Sequence, residues 1–257
     1  MDLELAGRKA MVVGSTSGLG LAIATALSAE GAAVALSGRR EDVAGKLAAD
    51  LDGAVGVPLD LADPASVVAG VKAAQAALGE LDILVLNSGG PPPGPAAALT
   101  LEGLESSLRM LVMSQVQLVS LLLPGMRERG WGRVVAVGSS GVQQPIANLA
   151  SSNVARGALA SYLKTLAGEV GRDGVTVNMV LPGRIDTGRV ASLDQAAAQR
   201  RGEDVATVRR ASEAAIPLGR YGTPKEFGDV AAFLCSPRAS YVTGAQIRVD
   251  GGAIASL

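Results

Sequence analysis

Short β-branched apolar runs alternate along the chain with longer stretches in which apolar residues recur every three or four positions. The first kind predicts strands over 9–13, 33–37, 54–59, 82–86, 132–137, 174–180 and 246–249. The second predicts helices over 18–30, 41–50, 64–78, 100–128, 149–170, 190–214 and 224–235. Strands that alternate with helices imply right-handed βαβ units and therefore a parallel sheet. Such strands are covered on both faces and should be apolar throughout, as Ile83-Leu84-Val85-Leu86 and Val134-Val135-Ala136-Val137 are. The fold class expected is α/β, a doubly wound parallel sheet of seven strands with helices on both faces. No linker, repeat or low-complexity stretch breaks the rhythm, so residues 1–257 are expected to form one domain. One insert stands out. Pro91-Pro92-Pro93-Gly94-Pro95 is a stiff extended loop just past a strand. It reads either as a rigid connector or as the rim of a substrate cleft, because ligands sit beyond the carboxyl ends of parallel strands.

Composition narrows the chemistry. Apolar residues make up 48% of the chain, enough for a large core, but only 2% are aromatic, which disfavours stacking platforms for nucleic acid. The net charge of −1 with no basic block argues against a polyanionic partner. The lone Cys235 lies in an apolar helical run, so no intrachain disulfide can form and a cytoplasmic location is expected. The acidic start Met1-Asp2-Leu3-Glu4 has no apolar run and reads as no signal peptide. The apolar segment 110–123 is broken by Ser114, Gln115, Gln117 and Ser120 and stops at Pro124, which reads as too short and too polar to span a membrane. No histidine occurs, which removes the commonest general base and most catalytic zinc sites; no metal is expected.

A nucleotide site is expected after the first strand, at Gly14-Ser15-Thr16-Ser17-Gly18-Leu19-Gly20. Gly14 permits a tight turn, Gly18 lets backbone approach a pyrophosphate at a helix N-terminus, and Gly20 allows close helix-on-strand packing. Ser37-Gly38-Arg39-Arg40 ends the second strand without the acid that would hold an NAD ribose. A cation there suits the 2′-phosphate of NADP, so NADP is the cofactor expected, with NAD as the alternative.

The G-x-x-x-G-x-G spacing resembles the short-chain dehydrogenase/reductase family, in particular its 3-oxoacyl-ACP-reductase-like members, and the resemblance covers essentially the whole chain. It implies a Rossmann-type NAD(P)-binding domain. Asp60-Leu61 resembles the family's adenine-contacting pair, and Asn87-Ser88-Gly89-Gly90 stands where the family has Asn-Asn-Ala-Gly. Pro182-Gly183-Arg184-Ile185-Asp186-Thr187 resembles the loop that meets the nicotinamide carboxamide. Pro217-Leu218-Gly219-Arg220, Val242-Thr243-Gly244 and Val249-Asp250-Gly251-Gly252 resemble the C-terminal signatures. Cofactor contacts are thus implied for Gly14, Ser15, Ser17, Gly18, Leu19, Gly20, Arg39, Asp60, Leu61, Asn87, Gly89, Pro182, Gly183, Ile185 and Thr187. Val13 departs from the family's threonine, and Ser88-Gly89 departs from Asn-Ala.

The family's catalytic tetrad is Asn, Ser, Tyr and Lys. Aligned on Gly132-Arg133 and Lys164-Thr165-Leu166-Ala167, Ser139 falls on the serine, Ser152 on the tyrosine, Arg156 on the lysine and Leu111 on the asparagine. A tyrosine near pKa 10 can be tuned to protonate a carbonyl oxygen. A serine hydroxyl is a far weaker acid and ends a whole ring short. Arg156 could hold the cofactor ribose and lower a neighbour's pKa but cannot relay a proton. Leu111 cannot fix a water. Ser139 could donate to an oxyanion, or simply cap the strand end. Tyr221-Gly222-Thr223-Pro224-Lys225 matches Tyr-x-x-x-Lys as text, but Pro224 forbids an uninterrupted helix through that turn. Three readings stand open: an NADP-dependent reductase of a small-molecule or acyl-carrier-linked carbonyl substrate, a nucleotide-binding scaffold or sensor without turnover, and another reaction such as a lyase in the same cleft. Apolar excess on helices 100–128 and 149–170 predicts self-association, and the resemblance, which implies pairing through these helices and through the last strand, makes the expected assembly a homotetramer; no nucleic-acid or membrane partner is expected.

Overall fold

The computed structural model describes residues 2–256. Seven parallel strands form one sheet: β1 (Lys9–Val12), β2 (Ala33–Gly38), β3 (Val55–Pro58), β4 (Ile83–Leu86), β5 (Gly132–Val137), β6 (Val175–Pro182) and β7 (Gln246–Val249). Their spatial order is β3-β2-β1-β4-β5-β6-β7, so the chain reverses its direction of travel across the sheet between β1 and β4. Alternate residues of each strand feed two separate cores. Met11, Leu84, Leu86, Val134 and Ala136 face one core; Ala10, Val12, Ile83, Val85, Val135 and Val137 face the other. Both strand faces are therefore buried, which is why these strands are apolar at every position.

The first core is closed by α3 (Pro64–Leu78), α5 (Ser114–Glu128) and α6 (Ala150–Val170). The second is closed by α1 (Gly18–Ala29), α2 (Glu41–Ala49) and α9 (Pro224–Leu234). α1 and α9 pack so closely that a Cβ on Gly228 would lie 2.6 Å from the Ala22 carbonyl oxygen.

Two predicted helices are interrupted. The helical run expected over 190–214 is two helices, α7 (Gly188–Arg201) and α8 (Val205–Ala214). Gly202 ends the first in the left-handed region at φ 66°, and the Asp204 side chain caps the second by accepting from Thr207 N. The run expected over 100–128 is helical throughout but contains a π turn, Arg109–Met113, between α4 (Leu101–Leu108) and α5. The Met110 carbonyl in that turn accepts from Ser114 Oγ at 2.7 Å and from Gln115 Nε2 at 3.2 Å.

The apolar segment is also longer than read from 110–123 alone. Residues Leu101–Glu128 make a 28-residue helical run with mean hydropathy 1.4 over its most apolar window, long and apolar enough by composition to cross a membrane. Its buried residues Leu118, Val119, Leu122 and Met126 belong to the core between α3, α6 and the sheet.

Candidate active site

The site is assembled at the carboxyl ends of β1, β4, β5 and β6. After β1 the chain turns at Gly14 and Gly18, with φ of 61° and 56°. Gly20 has no room for a side chain, because a Cβ there would lie 2.4 Å from the Gly14 carbonyl oxygen. Ser17 is the N-cap of α1 and makes no side-chain cap, so the first-turn amides keep their donors for an anion. Leu19 is half-buried in that first turn. Ser15 behaves differently from the expectation. It is fully buried, its Oγ donates to Val12 O at 2.7 Å and accepts from Ser37 N at 2.9 Å, and its own N donates to Ser37 O. Ser15 therefore pins the glycine turn to β2 instead of facing a ligand.

Asn87, one residue past β4, clips the same turn from the other side. Its Nδ2 donates to Val13 O at 3.1 Å and Gly14 O at 2.9 Å. Across the gap, Gly18 faces the Thr187 side chain, 3.8 Å from its hypothetical Cβ. Thr187 caps α7, accepting from Val190 N. Gly183 lies hard against Asp250, where a Cβ would sit 2.6 Å from Cα, and Ile185 is buried and bridged to Gly222. Arg39 and Arg40 are exposed at the end of β2, and Thr16 packs on Gly38 beside them. Asp60 uses its carboxylate locally, on Ala62 N, and Leu61 packs on the core. Gly89 has open space where a side chain would be. These residues fit a dinucleotide: open amides at a helix N-terminus, glycines where backbone must come close, and a cation where a 2′-phosphate would lie.

The tetrad positions lie on α6 and on two elements packed against it, the π turn and the short turn after β5. Ser139 follows β5 and its Oγ accepts from Gly141 N at 3.0 Å. That uses a lone pair and leaves the hydroxyl proton free to donate. Ser152 and Arg156 both lie on α6 and are each 8% exposed. Their four-residue spacing puts them on one face of the helix. Arg156 donates from Nη1 to Val137 O at 2.7 Å. Burial, and then the nearby Arg189 charge, hold its pKa down to about 10, so it stays a cation at neutral pH. Leu111 lies in the π turn and is 1% exposed. One turn on, Gln115 is buried with an Oε1 that has no hydrogen-bond partner.

The residues 13–253 match the family described as Enoyl-(Acyl carrier protein) reductase. The 3-oxoacyl-(acyl-carrier-protein) reductase FabG of Vibrio cholerae is 33% identical over 251 residues, 97% of this chain and 98% of the relative. The chain belongs to the short-chain dehydrogenase/reductase family. Among solved structures it is similar to L-sorbose reductase from Gluconobacter frateurii complexed with NADPH and L-sorbose, with TM-score 0.94 and 33% identity over 100% of both chains. It is also similar to an actinorhodin polyketide ketoreductase with NADPH, with TM-score 0.91, 30% identity, and 96% of this chain and 97% of that one covered.

Sequence reasoning passed over Arg189 and Gln115. Arg189 sits on the first turn of α7, reaches over Gly90 and donates from Nη2 to Pro91 O at 2.9 Å. The proline insert is held on its other flank as well, since Gly94 N donates to Asn148 O and Ala150 N donates to Gly94 O. It is therefore held between the start of α6 and Arg189. The text match at Tyr221 and Lys225 is not a pair. The buried Tyr221 hydroxyl donates to Asp194 at 2.9 Å, Pro224 opens α9, and Lys225 points to Asp229.

Proposed function

We propose that the chain is an NADP-dependent carbonyl reductase with a depleted acid–base set, its whole length serving as one NAD(P)-binding domain. The observation that carries this reading is the open N-terminus of α1 beside an acid-free, arginine-bearing end of β2. It is supported by the NADPH bound in two similar reductases. Gly14, Ser17, Gly18, Leu19 and Gly20 would hold the pyrophosphate, and Arg39 the 2′-phosphate. Asp60 and Leu61 would flank the adenine, while Asn87, Gly89, Pro182, Gly183, Ile185 and Thr187 would frame the nicotinamide half. The dinucleotide, when bound, supplies the hydride. Ser139 then donates its free hydroxyl proton as a hydrogen bond to the carbonyl oxygen, and Arg156 stabilises the charge that builds there. Neither gives up a proton at neutral pH, and Ser152 is too weak an acid to do so; the proton comes from water. The substrate is a small-molecule or acyl-carrier-linked carbonyl compound.

Calorimetry with NADPH and NADH on wild type and Arg39→Ala tests the cofactor assignment. NADPH is expected to bind roughly tenfold or more tightly than NADH in wild type, and the preference to vanish in the variant. Equal affinities in wild type would remove it. A scaffold or sensor without turnover is the second reading, favoured by the buried Leu111 and by Ser152 in place of a phenol. It predicts NADPH binding with no oxidation of NADPH across a carbonyl panel.

The exposed apolar side chains Leu101, Met113, Leu121 and Val154 all lie on α4, α5, α6 and the π turn, and β7 ends the sheet as an edge strand. A cytoplasmic homotetramer buries both. Light scattering at micromolar concentration should give four chain masses; a monomer would contradict this.

A further inference from the structure

Two arginines reach the region beyond the carboxyl ends of β4 and β5, near enough for the charge of one to act on the other. Arg156, from α6, is tethered at the end of β5 through Val137 O. Arg189, from α7, is tethered through Pro91 O to the loop that follows β4, five residues past the strand's end. β4 and β5 are neighbours, with Leu86 paired to Ala136. Among the described residues neither guanidinium has an ion pair. The acids that follow β6 are engaged elsewhere, Asp186 with Arg209 and Asp194 with Arg184.

A guanidinium carries five N–H donors, and Arg156 uses one of them within the chain. A buried cation without a counter-charge is destabilising, and the nearby Arg189 charge adds to the penalty. Packing does not require the arrangement. The other deeply buried arginine, Arg133, has three carbonyl contacts and an aromatic ring. What two neighbouring forks with spare donors match is a planar anion. Ser139 lies two residues past Val137, so an anion held here is next to the reacting carbonyl.

We infer that Arg156 and Arg189 form a clamp for a carboxylate on the substrate, so that the compound reduced is an oxo acid and not a neutral ketone or sugar. This rests on the reductase reading above, and the test keeps the two apart.

Malonate, its neutral diamide malonamide, and inorganic phosphate are titrated by calorimetry into the full chain saturated with NADPH, and into the chain alone. Malonate should bind at least roughly tenfold more tightly than malonamide and than phosphate. Arg189→Gln should weaken malonate roughly ten- to hundredfold, the range for losing a charge-assisted hydrogen bond, and leave NADPH affinity unchanged. Arg189→Lys should restore part of the loss. Arg189 is exposed, so neither variant threatens folding. Equal binding of malonate and malonamide, phosphate binding more tightly than malonate, or malonate binding indifferent to Arg189→Gln would each overturn the clamp. NADPH binding without malonate binding also overturns it and spares the reductase reading. Arg189-dependent malonate binding to a chain that does not take NADPH does the reverse, and no binding of either overturns both.

Discussion

The strand β5 has a buried arginine at each end, and the two are treated in opposite ways. At the amino end, Arg133 is 3% exposed and its guanidinium donates to the carbonyls of Ser236, Gly132 and Gly174. It also stacks 4.3 Å from the centroid of Trp131, whose ring is shared with Arg8 at 3.7 Å. At the carboxyl end, Arg156 is 8% exposed, has a single carbonyl partner and no ring, and shares its space with another cation. Both have lowered pKa values, and in both the larger cause is burial. The difference lies in what each charge receives for its lost water. Arg133 ties β5 to the loop before β6 and to the end of α9, so it works for the fold. Arg156 receives little, and an under-satisfied charge in a cleft is the mark of a group kept for a ligand.

The largest effect should come from rebuilding the acid at the carboxyl end. Ser152→Tyr with Arg156→Lys should raise NADPH-dependent ketone reduction about 10²–10⁴-fold, the usual worth of a positioned general acid. Leu111 remains, so rates typical of an intact tetrad are not expected. Brisk wild-type turnover that the double variant fails to exceed would mean that another group supplies the proton.

One substitution then separates the two ends directly. Arg133→Met should lower the unfolding free energy by about 2–4 kcal/mol, because several buried carbonyls lose their donor at once. Arg156→Met should do the opposite and raise it by about 1–3 kcal/mol, as a buried unpaired charge gives way to apolar volume. Urea midpoints at pH 7 read both, and losses of similar size at the two sites would erase the contrast. The second gain should depend on pH. The folded pKa of Arg156, about 10, lies below the ordinary arginine value, so its charge opposes folding in full below pH 10. That opposition fades as pH rises above 10 toward the ordinary arginine value, and the advantage of Arg156→Met over wild type should shrink over the same range.

How much of this could be read beforehand varies with the range of the interaction involved. The strands were legible within a residue or two because both faces are buried, and apolar runs such as 83–86 need no partner to be recognised. The glycine turn was legible because backbone geometry acts locally. The break at Gly202 had its signals in Gly202 and Asp204, but helical periodicity on both sides hid them. The π turn had none, since its extra backbone width is met by Ser114 and Gln115, residues that suit an ordinary helix equally well. Ser15 looked like a ligand contact because the motif reads the same whether its hydroxyl points out or in, and only the approach of β2 turns it in. Arg189 was illegible for the same reason. Its partner Pro91 lies far away in sequence, and nothing near position 189 announces which way the first turn of α7 will face.

The π turn at 109–113 also bears on how this chain tolerates a change of length. A turn of that kind holds one residue more than an α-helical turn, so it marks a place where a helix has absorbed an insertion without unravelling. Removing one residue there would let α4 and α5 join as a regular helix, but everything after the join would rotate by about 100°, one residue's share of a 3.6-residue turn. Leu118, Leu122 and Met126 would swing off the sheet, so the extra residue sets the rotational phase by which the front of this helix faces the cleft while its back faces the core.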